Sequence, residues 1–377
     1  MEGTDVTDKI WLPLFSPVRM GSLELRNRIV MAPLTRMRAD NPEHAPTQLH
    51  AEYYAQRADA GLIIGECTEV SAQGYGWADT PGLWSVEQVK GWRTVTDAVH
   101  RKGGLMYAQL WHTGAMSHPE FFSGELPVSA SDVNPEQESV TPSGRKPTVA
   151  PRAMTKAEIR QTVADFGQAA RNALEAGFDG VQIQANYLYL IAQFLSSGSN
   201  RRTDEYGGST ENRARMLFEI TDTVLQYVEP GRVGVKIGPM HLAGPFAAND
   251  DTLPDMEYVF RKLDGYGLAH LLLMGANTDV SGSPLQELAG DGMFRHFRPL
   301  YRGHVIANVD MTAERGNRLL ELGLVDSVAF GRPFIANPDL VRRLQQKASL
   351  NEIDWPTVYA AGPEGYTDYS VTEPQAV

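Results

Sequence analysis

One junction recurs along this chain and constrains its fold more than any other feature. Residues of helical periodicity run to a glycine and then into a short apolar segment. This happens from Arg57 to Gly61 into Leu62-Ile63-Ile64, and from His100 to Gly104 into Leu105-Met106-Tyr107. It recurs from Glu175 to Gly180 into Val181, at Gly265-Tyr266-Gly267 into Leu268-Ala269-His270, and at Leu322-Gly323 into Ser327-Val328-Ala329-Phe330. Glycine suits the left-handed residue that ends a helix, and short apolar runs suit parallel strands buried on both faces. Adding Ile29 to Ala32, Val233 to Ile237 and His304 to Ala307 brings the strand count to eight. Eight strands alternating with helices leave a closed barrel or an open doubly wound sheet. No Gly-x-Gly-x-x-Gly opens a helix after a strand, which favours the barrel.

The expected architecture is therefore a (β/α)8 TIM barrel, with residues 1–377 as a single domain. Helix starts are legible as capping boxes at Ser85-Val86-Glu87-Gln88 and Thr155-Lys156-Ala157-Glu158, the second followed by a stripe of Ile159, Val163, Phe166 and Ala170. One connection is long: about residues 112–152, rich in Pro, Ser and Glu, follow the third strand and read as a lid-like insertion. About residues 370–377 read as a flexible tail.

Composition narrows the partners. The net charge of −12 argues against nucleic acid and against an anionic membrane surface, both of which select basic patches. Cys67 is the single cysteine, so intrachain disulfides and cysteine-held zinc or iron–sulfur centres are excluded. No long apolar run and no basic-then-apolar leader pattern are present, which leads to the expectation of a soluble, cytoplasmic protein.

In a barrel the chemistry sits at the C-terminal ends of the strands. Those ends read Pro33-Leu34-Thr35, Glu66-Cys67-Thr68, Gln109-Leu110-Trp111-His112, Gln184 with Tyr187 and Tyr189, Lys236, Met274-Gly275, Asn308-Val309-Asp310 and Gly331-Arg332. No convergent carboxylate cluster appears, so no metal site is expected, and no nucleophile elbow points to acyl transfer. Amide and hydroxyl donors beside aromatics, with cations at strands 5 and 8, suit a planar anionic cofactor such as flavin mononucleotide (FMN).

Several blocks together resemble the Old Yellow Enzyme family of FMN-dependent ene-reductases. They are Asn27 to Arg36, Ala108 to Gly114, Arg202 to Gly208 and Phe330 to Pro338, within a likeness that runs from Leu14 to Tyr369. The resemblance implies FMN across the barrel mouth, held by Pro33, Leu34, Thr35, Cys67, Gln109, Lys236, Asn308, Gly331 and Arg332. It places the Thr35 hydroxyl near the flavin O4 and Gln109 at the pyrimidine edge. Lys236 stands where the family mostly has Arg; a cation there stabilises reduced flavin, although the guanidinium fork is lost. Val309-Asp310 replaces a common Gly pair, so backbone N–H groups are expected at the phosphate, with the Asp310 carboxylate pointing away. Cys67 itself reads as a small buried thiol without a redox role.

The family pattern His, two residues, Asn, one residue, Tyr falls on Gln184, Tyr187 and Tyr189, so the usual His/Asn pair is replaced. Gln184 and Tyr187 can both donate hydrogen bonds to a substrate oxygen, and Asn186 is a second donor if the strand carries a local bulge. Tyr189 keeps the proton-donor position. Trp111 and Tyr359 match walls of the substrate pocket, and His112 reads as structural. Ala115 replaces a common Arg and widens the entrance. The implied activity is NAD(P)H-driven reduction of activated alkenes (a small-molecule electrophile) by a monomer or homodimer. Two alternatives stay open: a flavin barrel catalysing isomerisation, desaturation or another reduction, and a flavin-binding protein of low turnover.

Overall fold

The computed structural model describes residues 12–238, 244–275 and 279–372. Eight strands close into a parallel barrel. They are β1 (Ile29–Met31), β2 (Leu62–Glu69), β3 (Met106–Trp111), β4 (Gly180–Gln184), β5 (Val233–Ile237), β6 (His270–Met274), β7 (Val305–Asn308) and β8 (Ser327–Phe330). β8 pairs back onto β1 through Val328 and Ile29, so no sheet edge remains. The crossover helices are α1 (Gln48–Ala55), α2 (Val86–Arg101), α3 (Lys156–Glu175), α4 (Leu190–Leu195), α5 (Thr210–Val224), α6 (Thr252–Leu263), α7 (Gly292–Phe297) and α8 (Ala313–Glu321); α9 (Leu340–Gln346) follows the last strand. Both expected capping boxes form: Ser85 and Gln88 at α2, Thr155 and Glu158 at α3. Each satisfies two backbone donors that the first helical turn leaves open.

Alternation along each strand divides the core. Val181, Ile183, Val233, Val235, Leu271 and Leu273 face outward into the layer shared with the helices. Val30, Leu62, Ile64, Tyr107, Leu272, Ile306 and Ala329 face inward and fill the lower barrel. Met20 and Leu25 close that layer from below. They come from an N-terminal hairpin, Val18–Met20 with Leu23–Leu25, turned at Gly21. Gly21 has φ +54, and a Cβ there would lie 2.1 Å from the Gly231 carbonyl oxygen, so only glycine lets the hairpin seat.

β2 is irregular. Ile64 pairs with Tyr107 and Cys67 with Gln109, so β2 carries one extra residue between these pairs. The inward set shifts from Leu62 and Ile64 below the bulge to Cys67 and Glu69 above it.

Residues 112–152 carry short 3₁₀ turns, a strand Val128–Ser129 paired with Arg152–Ala153, and a hairpin, Glu138–Thr141 with Gly144–Pro147. Gln193 on α4 anchors their start. Its Oε1 accepts from Ala115 N and Ser129 Oγ at 3.0 and 2.8 Å, and its amide donates to the carbonyls of Thr113 and Leu188. Of the expected flexible tail, residues 370–372 are tied to α9. Arg343 donates to the Ser370 carbonyl at 2.8 Å, and Thr372 N donates to Asp339 at 2.7 Å. Residues 373–377 lie outside the described residues. No helix among the described residues is long and apolar enough to cross a membrane.

Candidate active site at the C-terminal mouth of the barrel

Inward-facing positions turn polar towards the strand C-termini: Cys67, Glu69, Gln109, Gln182, Gln184, Lys236 and Asn308; His270, also inward, is the first residue of β6. A core of this kind is tolerated only if its polar atoms find partners within the protein or in a ligand.

On one side, a cleft of about 550 Å³ is lined by Pro33, Leu34, Met274, Asn308, Gly331 and Arg332, with Val309 and Asp310. Val309 and Asp310 have φ of +80 and +49, two successive left-handed residues without a glycine. The cost is about 1–2 kcal/mol per residue, and strain of this kind concentrates at ligand clamps. Arg315 holds the strained turn by donating to both carbonyls at 3.4 Å. The Asp310 carboxylate does not point away, contrary to expectation. Its Oδ1 lies 3.6 Å from Arg332 Nη1, with both side chains well exposed.

Deeper in, Thr35, Cys67, Gln109 and Lys236 come together. The Cys67 thiol donates to Gln109 Oε1 at 3.0 Å and interacts with the Thr35 hydroxyl. Burial pushes the thiol up to about 12, which makes it inert as a nucleophile at neutral pH. Burial also lowers the Lys236 pKa from its ordinary value. Lys236 has no ion-pair partner among the described residues, and the nearby Cys67 is neutral.

The third cluster follows β4. Gln184 is buried with its Oε1 unpartnered among the described residues. Asn186 is also buried, and its amide donates one N–H to the Met274 sulfur at 2.7 Å. Tyr187 is half-buried at φ +62, a conformation rarely adopted by a bulky residue. That turn brings its ring centroid to 5.5 Å from Tyr189. Burial raises both phenols above their ordinary value, Tyr189 far more than Tyr187. Trp111 walls Tyr189, and its Nε1 has no partner among the described residues. His112 Nδ1 accepts from Gly114 N at 3.1 Å, its Nε2 has no partner among the described residues, and burial holds the ring neutral by depressing it to about 3.

Above this floor a second cleft, of about 620 Å³, is lined by Tyr187, Met116, Trp77 and polar residues of the insertion, among them Asn134, Glu136 and Arg145. Tyr359 reaches the same rim, its ring 6.1 Å from Trp77 at 69°. The segment carrying Tyr359 is pinned by Arg38, which donates to the carbonyls of Val358, Thr357 and Glu364 at 2.6, 2.7 and 3.1 Å. Arg36 adds bonds to the carbonyls of Val358 and Gly365 at 3.2 and 2.7 Å.

Four residues of the barrel interior and its mouth were not singled out from the sequence: Glu69, Trp77, Gln182 and His270. Glu69 is wholly buried and kept neutral by burial, which raises it well above the carboxylate range; Thr80 donates to it at 2.5 Å and its Oε2 has no partner among the described residues. Strand parity signals Gln182 and His270 once β4 and β6 are in register. Trp77 had no sequence signal.

The residues fit a flavin nucleotide. A half-buried cation has no ion-pair partner among the described residues, a roomy cleft ends at an arginine and a strained backbone turn, and several buried polar atoms around the mouth lack partners among those residues. Among the described residues no cluster of His, Cys, Asp or Glu has the makings of a metal site. Residues 13–351 match the family model described as NADH:flavin oxidoreductase / NADH oxidase. 12-Oxophytodienoate reductase 1 of Oryza sativa subsp. japonica is 38% identical over 372 residues, covering 96% of this chain and 94% of the relative. The solved structure of the Old Yellow Enzyme homologue from Zymomonas mobilis is 40% identical with a TM-score of 0.89, covering 95% of this chain and 99% of that one. Morphinone reductase in complex with tetrahydroNAD is 40% identical with a TM-score of 0.88, covering 96% and 98%. The chain thus belongs to the NADH:flavin oxidoreductase / NADH oxidase family, within the Old Yellow Enzyme group, and is an FMN-dependent, NAD(P)H-consuming oxidoreductase.

Proposed function

We propose that this protein reduces the C=C bond of alkenes activated by a carbonyl or nitro group, with Tyr189 as proton donor. One observation carries the reading: the Tyr189 phenol stands at the mouth, walled by Trp111, with no hydrogen-bond acceptor for its hydroxyl among the described residues. Its raised pKa keeps the proton in place across the working range. So weak an acid gives up that proton only to a strongly basic centre, such as the α carbon of a substrate that has just accepted hydride.

FMN, when bound, supplies the two-electron relay between nicotinamide and alkene. Pro33, Leu34, Thr35, Cys67, Gln109 and Lys236 would hold its ring, and Asn308, Gly331 and Arg332 its phosphate. Lys236 contributes the positive charge that favours the reduced, anionic ring. Gln184 and Tyr187 are the donors to the substrate carbonyl or nitro oxygen. Each such donor is worth roughly 10²-fold in turnover when it meets charge that develops in the transition state. Trp111, Tyr359 and Trp77 flatten the pocket for a planar substrate. The cleft of about 620 Å³ is in the range of drug-sized ligand sites, so substrates larger than a simple enone fit beneath the insertion. Morphinone reductase, solved in complex with tetrahydroNAD, supports a nicotinamide as the electron donor.

Anaerobic titration tests the reading. Enzyme reduced by one equivalent of NADPH is mixed with cyclohexenone, N-ethylmaleimide or a nitrostyrene. Return of the oxidised flavin spectrum with at least one of them is expected. Failure to reoxidise with every acceptor overturns it.

A further inference from the structure

Five residues on five successive strand positions form one row inside the barrel. Cys67 pairs with Gln109, Gln109 with Gln182, Gln182 with Gly234, and Gly234 with His270. Their side chains make a continuous belt of hydrogen bonds. The Cys67 thiol donates to Gln109 Oε1 at 3.0 Å, and Gln109 Nε2 donates to Gln182 Oε1 at 2.6 Å. Gln182 Nε2 lies 2.8 Å from His270 Nε2. Gln109, Gln182 and His270 are all fully buried.

Gly234 is what lets the belt cross β5. A Cβ at this position would lie 2.2 Å from His270 Cε1 and 2.3 Å from its Nε2. Any other residue would push the imidazole aside and leave Gln182 without its partner. A gap shaped to one ring, met on one side by two linked amides, is more than residual core polarity.

The belt has a direction. An amide nitrogen only donates, so His270 Nε2 accepts and its proton sits on Nδ1, which has no partner among the described residues. Burial depresses His270 to about 3, so the ring is neutral and a single tautomer decides the polarity. Given that tautomer, Gln182 presents its carbonyl to Gln109, and Gln109 presents its own carbonyl to the thiol. The Gln109 N–H₂ therefore lies on the β4 side, next to the strand that carries Lys236, and its carbonyl lies on the side of Cys67 and Thr35. The opposite tautomer would reverse both amides at little steric cost, because an amide turned by 180° keeps its shape. Hydrogen bonds in such a chain also strengthen one another.

We propose that His270, acting through Gln182 across the gap at Gly234, is a positioning residue that fixes the amide polarity of Gln109 and so raises the reduction potential of the bound flavin. The inference rests on the reading that Gln109 faces the pyrimidine edge of FMN. With the N–H₂ held on the β4 side, Gln109 offers a donor to the edge where negative charge gathers on reduction. Without the belt, Gln109 is free to turn its carbonyl there and oppose the charge.

The test compares holoenzyme midpoint potentials for the native protein, Gln182→Met and His270→Phe, by dye equilibration. Both variants should bind oxidised FMN much as the native protein does and bind reduced FMN about tenfold more weakly. For a two-electron couple that is a fall of about 30 mV. FMN-loaded variants with an unmoved potential overturn the proposal while leaving the flavin reading intact; a native protein that takes up no FMN overturns both. If a variant does not fold, ¹⁵N-histidine NMR of the native holoenzyme decides. An Nδ1–H tautomer at His270 supports the belt as drawn, and an Nε2–H tautomer overturns it.

Discussion

Trp111 meets Tyr189 edge-on, with ring centroids 4.9 Å apart and planes at 86°. Aromatic pairs of this geometry contribute about 0.5–1.5 kcal/mol beyond their burial. Here the contact also orients the phenol. Tyr189 occupies the N-cap position of α4, yet its side chain makes no capping bond, so its hydroxyl is not consumed by the helix.

Tyr189→Phe should leave reduction of the flavin by NADPH within about twofold of native and slow alkene turnover by about 10²-fold or more. Stopped-flow measurement of the two half-reactions separates these effects. Burial raises the Tyr189 pKa, so the acid stays protonated and the native oxidative rate should stay flat between neutrality and pH 9. A rate that falls with an apparent pKa below 9 would assign the proton to another group.

Asp310 competes with any phosphate for Arg332, the two side chains lying 3.6 Å apart and both well exposed. Asp310→Asn should tighten FMN binding about threefold at low salt, an exposed pair being worth well under 1 kcal/mol after screening. Fluorescence quenching of free FMN at two ionic strengths checks this. The advantage should shrink at high salt.

Glu66 turns outward from the barrel, accepting from Arg36 N at 3.2 Å and from the Tyr54 hydroxyl at 3.1 Å. Burial raises its pKa from the usual 4.5 to about 7. As pH rises from 4.5 towards 7 the unfolded chain ionises first, so this group lowers stability across that window and by a constant amount above it. Glu66→Gln removes the effect. Relative to native, the variant should gain about 2–3 kcal/mol between the two ends of the window, measured by urea denaturation.

Arg38 is buried, and its guanidinium pins residues 357–364 from beneath. Arg38→Met removes a donor from five carbonyls, those of Arg36, Thr357, Val358, Gly362 and Glu364, at a cost of about 2–4 kcal/mol. Proteolytic cutting between Trp355 and Tyr369 should accelerate, and KM for bulky acceptors should rise more than kcat falls, because Tyr359 loses its seat. Unchanged cleavage kinetics would assign the seat to Arg36 instead.

The strands of the barrel were legible because glycine-terminated helices and short apolar runs leave few other packings; β5 and β8 have the very limits read from sequence. The placing of Tyr189 and Trp111 side by side at the mouth was legible because strand ends are where barrel chemistry collects. Gln182 and His270 were not: a strand buried on both faces shows no alternation, so an inward polar residue looks like any other interruption. Glu69 was hidden by the bulge, which shifts strand parity just before it. The left-handed turns at Tyr187, Val309 and Asp310 were unreadable for a different reason. None is a glycine, and local preference argues against the conformation that tertiary packing imposes.

The offset between Ile64 and Cys67 also decides which acid the reaction chamber meets. An unbroken ladder between β2 and β3 would send Glu66 and Thr68 into the lumen and expel Cys67 and Glu69 towards the helices. The nascent barrel thus chooses between two mutually exclusive linings at a single step of pairing. Only one of them leaves Gln109 a thiol to receive.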